Sequence, residues 1–369
     1  MAEFFYSYGL FLLKALSLVA VVVLGVVAAV AALSRNRGSG VDASVDHGHL
    51  VIQKLNRQLE TMQDALNDSL LEPAARKQAE KARAAEDKAE TKAAKRAARR
   101  ARRLRGKART VVPETGRRRV FVLDFDGDIR ASAVEKMRRE ITAVLTSARR
   151  EDEVVVRLES AGGMVVGYGL AAAQLERIRE KRIPLTVCVD KVAASGGYLM
   201  AVVGNRVIAA PFAILGSIGV VAQIPNLNRF LKEHNVDFEL LTAGKYKRTL
   251  TVFGENTAEG RQKFIEDLER IHEQFKEFVG RHRPDMDVER VATGEIWSGD
   301  DVLELDLADA LGTSDQYLVD ACRDRDVFLV SYRPKRNLLE RISFGLQESI
   351  DGVAFRWLDR LLSSKSGLY

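Results

Sequence analysis

Val154-Val-Val-Arg-Leu-Glu-Ser-Ala-Gly-Gly163 reads as a short apolar strand that stops at a glycine pair and leads into a helix running to about Lys181. The same unit recurs on both sides. Upstream, Val120-Phe-Val-Leu-Asp124 is a β-rich run followed by a turn and a helical stretch, Ala133 to Arg149. Downstream of Pro184, Leu185 to Val189 is a third strand. Short apolar strands alternating with helices imply parallel βαβ units, so the expected fold class is α/β. Further on, Gly216 and Gly219 mark a turn, and a helix is predicted around Asn226 to Glu233. A long amphipathic helix, from about Ala258 to Arg281, carries Phe264, Leu268, Ile271, Phe275 and Phe278 on one face, read as core packing.

The chain has 369 residues, 46% of them apolar and 29% charged, enough for one large domain with accessory segments. Its net charge of +6 is unevenly spread. Arg76 to Arg109 holds 15 Lys and Arg against 4 Asp and Glu, which leaves the remainder acidic. A nucleic-acid enzyme would carry basic residues across a folded face; confinement to one stretch argues against a nucleic-acid partner. Cys188 and Cys322 are far apart and form no Cys-x-x-Cys pair, so neither a disulfide framework nor a zinc site is read from them.

Ala15 to Leu33 is a run of 19 residues interrupted only by Ser17 and Gly25. At about 1.5 Å per residue it nearly spans the ~30 Å hydrocarbon core of a bilayer. Glu3 and several aromatics precede it where a cleavable signal peptide would carry a basic region, which favours a retained anchor. The expected organisation is a transmembrane anchor over 1–34 in contact with lipid, a charged helical stalk over 35–118, a folded domain over 119–335, and an amphipathic tail over 336–369. From about His49 to Arg109 the stalk is rich in helix-forming Ala, Lys, Glu, Arg and Gln, and too polar to bury a face of its own. Arg35, Arg37 and the later basic stretch, counted as flanking charge, put the folded domain on the cytoplasmic side.

Three glycine-bearing segments stand at the ends of predicted strands: Glu159-Ser-Ala-Gly-Gly-Met164, Val192-Ala-Ala-Ser-Gly-Gly-Tyr198 and Gly216-Ser-Ile-Gly219. Strand ends are where parallel sheets place their sites. Ser195 is a candidate nucleophile at such an end, but a tight turn with an N-capping serine has the same pattern. A serine hydroxyl also needs a base to take its proton. His47 and His49 fall in the stalk, His272 and His282 in or at the end of the long helix, and His234 in a polar turn, so a Ser-His-Asp triad is poorly supported. Leu240-Leu-Thr-Ala-Gly-Lys-Tyr-Lys-Arg-Thr249 offers lysines instead. Lysine serves as a base only where desolvation or neighbouring cations disfavour its charged form. On the residues alone, ordinary surface lysines remain the alternative.

Glu159-Ser-Ala-Gly-Gly-Met164, Asp190-Lys-Val-Ala-Ala-Ser-Gly-Gly-Tyr198, Gly216-Ser-Ile-Gly-Val220 and Gly244-Lys-Tyr-Lys-Arg-Thr-Leu-Thr251, in this order, resemble the signal peptide peptidase A family of serine proteases. The resemblance covers about residues 1 to 335. It implies a twisted sheet core like that of Clp protease and crotonase, and a bacterial inner-membrane location, with the domain periplasmic as is usual for relatives. It also implies peptide or protein substrates, no cofactor and no metal. Carried over by position, Ser195 matches the nucleophile and Lys247, 52 residues later, the general base. Ser217 matches a serine that orients the lysine, and the backbone amides of Gly163 and Gly196 match the oxyanion hole. Lys245 does not occupy the matching place. Single-domain relatives form rings in which neighbouring subunits can supply base and nucleophile, so a homo-oligomer is expected. One departure is visible: Ala161 stands where relatives usually carry proline, whose ring would fix φ.

Two other readings compete. Val120-Phe-Val-Leu-Asp-Phe-Asp-Gly127 resembles the opening motif of haloacid-dehalogenase phosphatases, with Asp124 and Asp126 as the acidic pair. Asp128-Ile follows where threonine is usual, and Ser298-Gly-Asp-Asp301, the would-be later metal motif, lacks an apolar strand before it. The other is a membrane scaffold without activity, opposed by the presence of both Ser195 and Lys247.

Overall fold

A computed structural model describes residues 48–70 and 117–334, with positions 88, 89, 92, 95 and 96 between them. The anchor expected over 1–34, most of the stalk and the tail from 336 lie outside the described residues. Among the described residues no helix is long and apolar enough to cross a membrane.

The described chain opens with β1 (His49–Lys54) and α1 (Leu55–Leu70). Next come β2 (Arg119–Gly127), α2 (Val134–Leu145), β3 (Glu153–Ser160), α3 (Val165–Glu180), β4 (Leu185–Val189) and β5 (Val192–Ala194). They are followed by α4 (Gly196–Ala201), β6 (Arg206–Ala209), β7 (Ile214–Gly216) and α5 (Asn228–Glu233). The last elements are α6 (Ala258–His282), α7 (Val288–Val291), β8 (Ile296–Trp297), α8 (Asp301–Glu304), β9 (Ala310–Leu311), α9 (Ser314–Asp324) and β10 (Asp326–Arg333).

The main sheet runs β1-β10-β2-β3-β4-β6-β9, parallel throughout except for β1, which lies antiparallel to β10. The alternation of strands with helices dictates this, because a parallel pair needs a crossover and the helices supply it on both faces. Val120, Val122, Val155, Cys188, Ile208 and Val327 pack under Leu318 and Ala321 of α9 on one face. Leu123, Val154, Val156, Leu158, Leu185 and Val187 pack under α2, α3 and α4 on the other. Strands covered on both sides read as unbroken Val-rich runs, which is why β2 to β4 are visible in the sequence.

One feature departs from expectation, and a second positions the site. The chain from His49, expected to begin a helical stalk, is strand β1, registered with β10 from His49↔Arg333 to Lys54↔Phe328. The β-branched pair Val51-Ile52 suits a strand, whereas the Ala-, Lys- and Glu-rich composition of the stalk lies further along the chain, and Asn56 locks the junction. Its side chain donates to the carbonyls of Cys322 (3.0 Å) and Arg325 (2.8 Å) and accepts from the amide of Val327 (2.8 Å). Second, the sheet forks at β3. Its middle pairs with β4 through Val154↔Leu185 to Arg157↔Cys188, whereas its last residue pairs with β5 through Ser160↔Ala193. Strand β5 then pairs with β7, and β7 with β8. The fork sets the loop after Ser160 beside the loop after Ala194.

Candidate active site

Ser195 follows β5 and opens α4 with φ 49 and ψ −119. A non-glycine residue in that region is strained and persists only where its surroundings hold it. The Ser195 amide donates to the Gly216 carbonyl at 2.8 Å, and the Leu199 amide donates to the Ser195 carbonyl at 2.9 Å. The backbone is therefore fastened on both sides. The hydroxyl makes no capping bond although it stands at the N-cap position, so the capping explanation of the Ser-Gly-Gly pattern does not apply.

The loop 160–164 lies against this turn. Gly162 has φ +88, and a Cβ there would stand 2.7 Å from the Ala194 carbonyl oxygen and 2.8 Å from the Gly196 nitrogen. Only glycine permits both the left-handed backbone and that approach. Gly196 rests on an aromatic ring: a Cβ there would meet Tyr168 Cγ at 2.4 Å. A cavity of about 220 Å³ opens at this point, lined by Gly163, Ser195, Gly196, Leu199, Val220 and Phe275 among others, and it is mostly apolar. Ile271 and Phe278 also line it. Of the stripe on α6, Phe275 belongs to the buried core and Phe278 packs against it, as expected, and with Ile271 they also wall the cavity. Thr257 fixes where α6 begins by accepting from the Gly260 amide at 3.0 Å.

Of the five residues singled out in the sequence, Gly163, Ser195 and Gly196 meet at the cavity. Ser217 stands next to Gly216, the residue hydrogen-bonded to Ser195, in a second positive-φ turn (φ 49) pinned by its amide to the Glu295 carbonyl. Lys247 is not among the residues lining the cavity. It sits in an exposed arm, about 220–257, where its amide donates to the Gly244 carbonyl at 3.1 Å. The neighbouring Lys245 is engaged. Its ammonium lies 2.7 Å from the Glu259 carboxylate and 5.0 Å from the Tyr246 ring centre. The hydrogen bond to Glu259 pushes its pKa above the ordinary lysine range.

Ser160 and Tyr168 escaped the sequence reading. Both are buried; their hydroxyls are 2.5 Å apart, Gly162 N–H donates to Ser160 Oγ at 3.0 Å, and Tyr168 Oη donates to the Asp128 carbonyl at 2.8 Å. The available signal was Tyr168 itself, a large residue among the glycines and alanines of α3. Asp124, one of the two acidic residues of the phosphatase reading, is spoken for: Arg157 grips both its oxygens, at 2.7 and 2.9 Å. Among the described residues no group of three or more His, Cys, Asp or Glu is arranged to hold a metal ion.

The sequence matches the N-terminal part of peptidase family S49 over residues 3–175 and peptidase family S49 itself over residues 177–327. A probable protease SohB from Haemophilus influenzae is 50% identical over 238 residues, 64% of this chain and 67% of that protein. One from Buchnera aphidicola subsp. Schlechtendalia chinensis is 58% identical over 200 residues, 54% of this chain and 66% of that protein. Among solved structures, a mutant of the 1510-N membrane-bound stomatin-specific protease aligns at 15% identity and a TM-score of 0.35, covering 55% of this chain and 84% of its own. Matched along residues 3–327 and close to half identical to relatives across two thirds of their length, the chain belongs to peptidase family S49, a family of proteases.

Proposed function

We propose that the chain is a serine endopeptidase in which Ser195 attacks the peptide carbonyl and Lys247 serves as the general base. The observation that carries this reading is the Ser195 hydroxyl, uncapped on a strained turn that lines an apolar cavity together with Gly163 and Gly196. In the proposed cycle the Lys247 amine takes the hydroxyl proton as Oγ bonds to the carbonyl carbon. The backbone amides of Gly163 and Gly196 stabilise the oxyanion. The proton then passes to the departing amine, leaving an acyl-enzyme that water hydrolyses by the same steps. Ser217 orients the lysine. The cavity suits an apolar substrate side chain beside the cut.

The choice of Lys247 over Lys245 rests on their surroundings. Glu259 holds Lys245 protonated, whereas the Lys247 side chain has no ion-pair or hydrogen-bond partner among the described residues. A basic lysine must be shielded from water. The arm that bears it is exposed and strongly apolar, with Leu241 89%, Val221 81% and Phe230 56% accessible. A homo-oligomer that buries this arm against a neighbouring copy would cover these side chains and deliver Lys247 to that copy's Ser195. The segment Ala15–Leu33 would hold the assembly at a bacterial inner membrane, where membrane-associated polypeptides and signal-peptide remnants are the substrates.

The test is complementation. Ser195→Ala and Lys247→Ala proteins are each inactive on a fluorogenic apolar peptide, and mixing them restores part of the activity. Full activity of Ser195→Ala alone would sink the assignment. Silence of the mixture with both parents inactive would place both residues in one subunit's site.

A further inference from the structure

We infer that Tyr168, acting through Ser160, is a positioning residue that sets the oxyanion pocket of this enzyme. The inference rests on the Ser195 reading above. It adds the device that holds the two amide-bearing segments in register.

The hydrogen bonds around Tyr168 form a chain with one allowed direction. A phenol has one proton, and Tyr168 gives it to the Asp128 carbonyl at 2.8 Å. The 2.5 Å contact between the two hydroxyls must therefore be Ser160 donating to Tyr168. That leaves a Ser160 lone pair for the Gly162 amide at 3.0 Å. The order is Gly162 N–H to Ser160 O–H to Tyr168 O–H to Asp128 C=O. Each link polarises the next inside the protein, where a broken link strands a buried donor or acceptor. Burial pushes the phenol above its ordinary range, so the proton stays in place at assay pH.

Both ends of the chain are anchored. Asp128 opens a turn in which its carboxylate accepts from the Ser132 amide (2.8 Å) and hydroxyl (2.7 Å), and its carbonyl also accepts from the Ala131 amide (3.0 Å). The Met164 amide donates to the Ile129 carbonyl of the same turn at 2.8 Å, so Gly163 is held from both sides. The ring of Tyr168 meanwhile supports the Gly196 backbone. One side chain thus contacts the segment carrying one proposed oxyanion donor and, through Ser160, ties down the segment carrying the other. This matters because Ala161 leaves the loop without the ring constraint of a proline. The hydrogen-bond chain supplies the rigidity instead.

Full-length Tyr168→Phe and Ser160→Ala proteins test this. Phenylalanine keeps the ring under Gly196 and removes only the hydroxyl; alanine leaves the Tyr168–Asp128 bond intact and frees Gly162. Displacing an oxyanion donor costs about a hundredfold or more when it is lost outright and less when it is only loosened, so kcat on a fluorogenic peptide should fall about 10- to 100-fold. KM should stay within about threefold, because ground-state binding uses the apolar cavity. Inhibition by a peptide aldehyde, which forms a tetrahedral adduct on Ser195, should weaken by the same factor as kcat. A purely structural role would lower the melting temperature and leave these ratios unchanged. A folded Tyr168→Phe protein with kcat within threefold of wild type overturns the inference. If that protein does not fold, Ser160→Ala decides by the same criterion, and failure of both to fold marks the pair as scaffold and overturns it too. If Ser195→Ala retains activity, it is the nucleophile reading that fails. If Ser195→Ala is dead and Tyr168→Phe is unimpaired, only the positioning role fails.

Discussion

The same chemical change at two glycines should act with opposite signs. Gly162 has φ +88, and an added Cβ would stand 2.7 to 2.8 Å from the Ala194 oxygen, the Gly196 nitrogen and the Ser195 Cβ, two of them backbone atoms that cannot swing away. Left-handed backbone costs a non-glycine residue about 1–2 kcal/mol, and forcing an atom into a packed site adds about 1–3 kcal/mol. Gly162→Ala should therefore destabilise by about 2–5 kcal/mol. Gly169, inside α3 with no atom within 4 Å of its added Cβ, should gain about 0.5–1 kcal/mol on replacement by alanine. In a domain of this size 1 kcal/mol moves the melting temperature by roughly 2–4 °C. Scanning calorimetry should then show Gly162→Ala melting about 5–15 °C lower and Gly169→Ala unchanged or slightly higher. Peptidase activity, measured well below either transition, should fall at least about a hundredfold for Gly162→Ala, because the loop bearing the Gly163 amide must move. Equal stability of the two variants, with full activity in Gly162→Ala, would refute the close packing of this loop on the Ser195 turn.

Three further outcomes are expected. Lys245→Ala should keep activity within about threefold while Lys247→Ala loses about a thousandfold or more; the reverse order would show that the lysine bound to Glu259 is the base. Asn56→Ala strips partners from two carbonyls and one amide and should lower stability in urea unfolding by about 2–4 kcal/mol; a change under 0.5 kcal/mol would mean that β1 is not secured to β10 through this side chain. Asp152→Asn should cost about 2–3 kcal/mol at pH 7. Burial raises the Asp152 carboxyl, but the Arg119 guanidinium and the Arg149 and Arg119 amides outweigh it and lower the pKa overall. A folded pKa below the unfolded value near 3.9 confers stability that is complete above that value and lost as pH falls through the folded one. The gap between wild type and variant in melts from pH 7 to pH 2.5 should thus narrow below about pH 4, and a gap independent of pH would exclude the ion pair as its source.

Much of this protein is legible in one dimension because local rules write it. Strands β2, β3 and β4 are Val-rich runs bounded by glycine, proline or a turn, since burial on both sheet faces demands apolar residues at successive positions. Helix α6 shows its apolar spacing within a single stretch. The motifs around Gly163, Ser195 and Ser217 are contiguous, so their likeness to a peptidase family can be read without coordinates. What tertiary structure decided involves partners distant in the chain. His49–Lys54 became a strand because β10, nearly 280 residues later, offered an edge to pair with the short Val51-Ile52 run, which by itself is too brief to stand out from the helix-rich stalk that follows. The fork at Ser160 placed two loops side by side that no periodicity connects. Ser160, Tyr168 and Asp128 became one hydrogen-bond chain only when the turns after β2 and β3 met under the site. Hydrophobic pattern is a property of a segment, whereas hydrogen-bond closure and backbone approach belong to pairs of segments, and only folding determines which pairs meet.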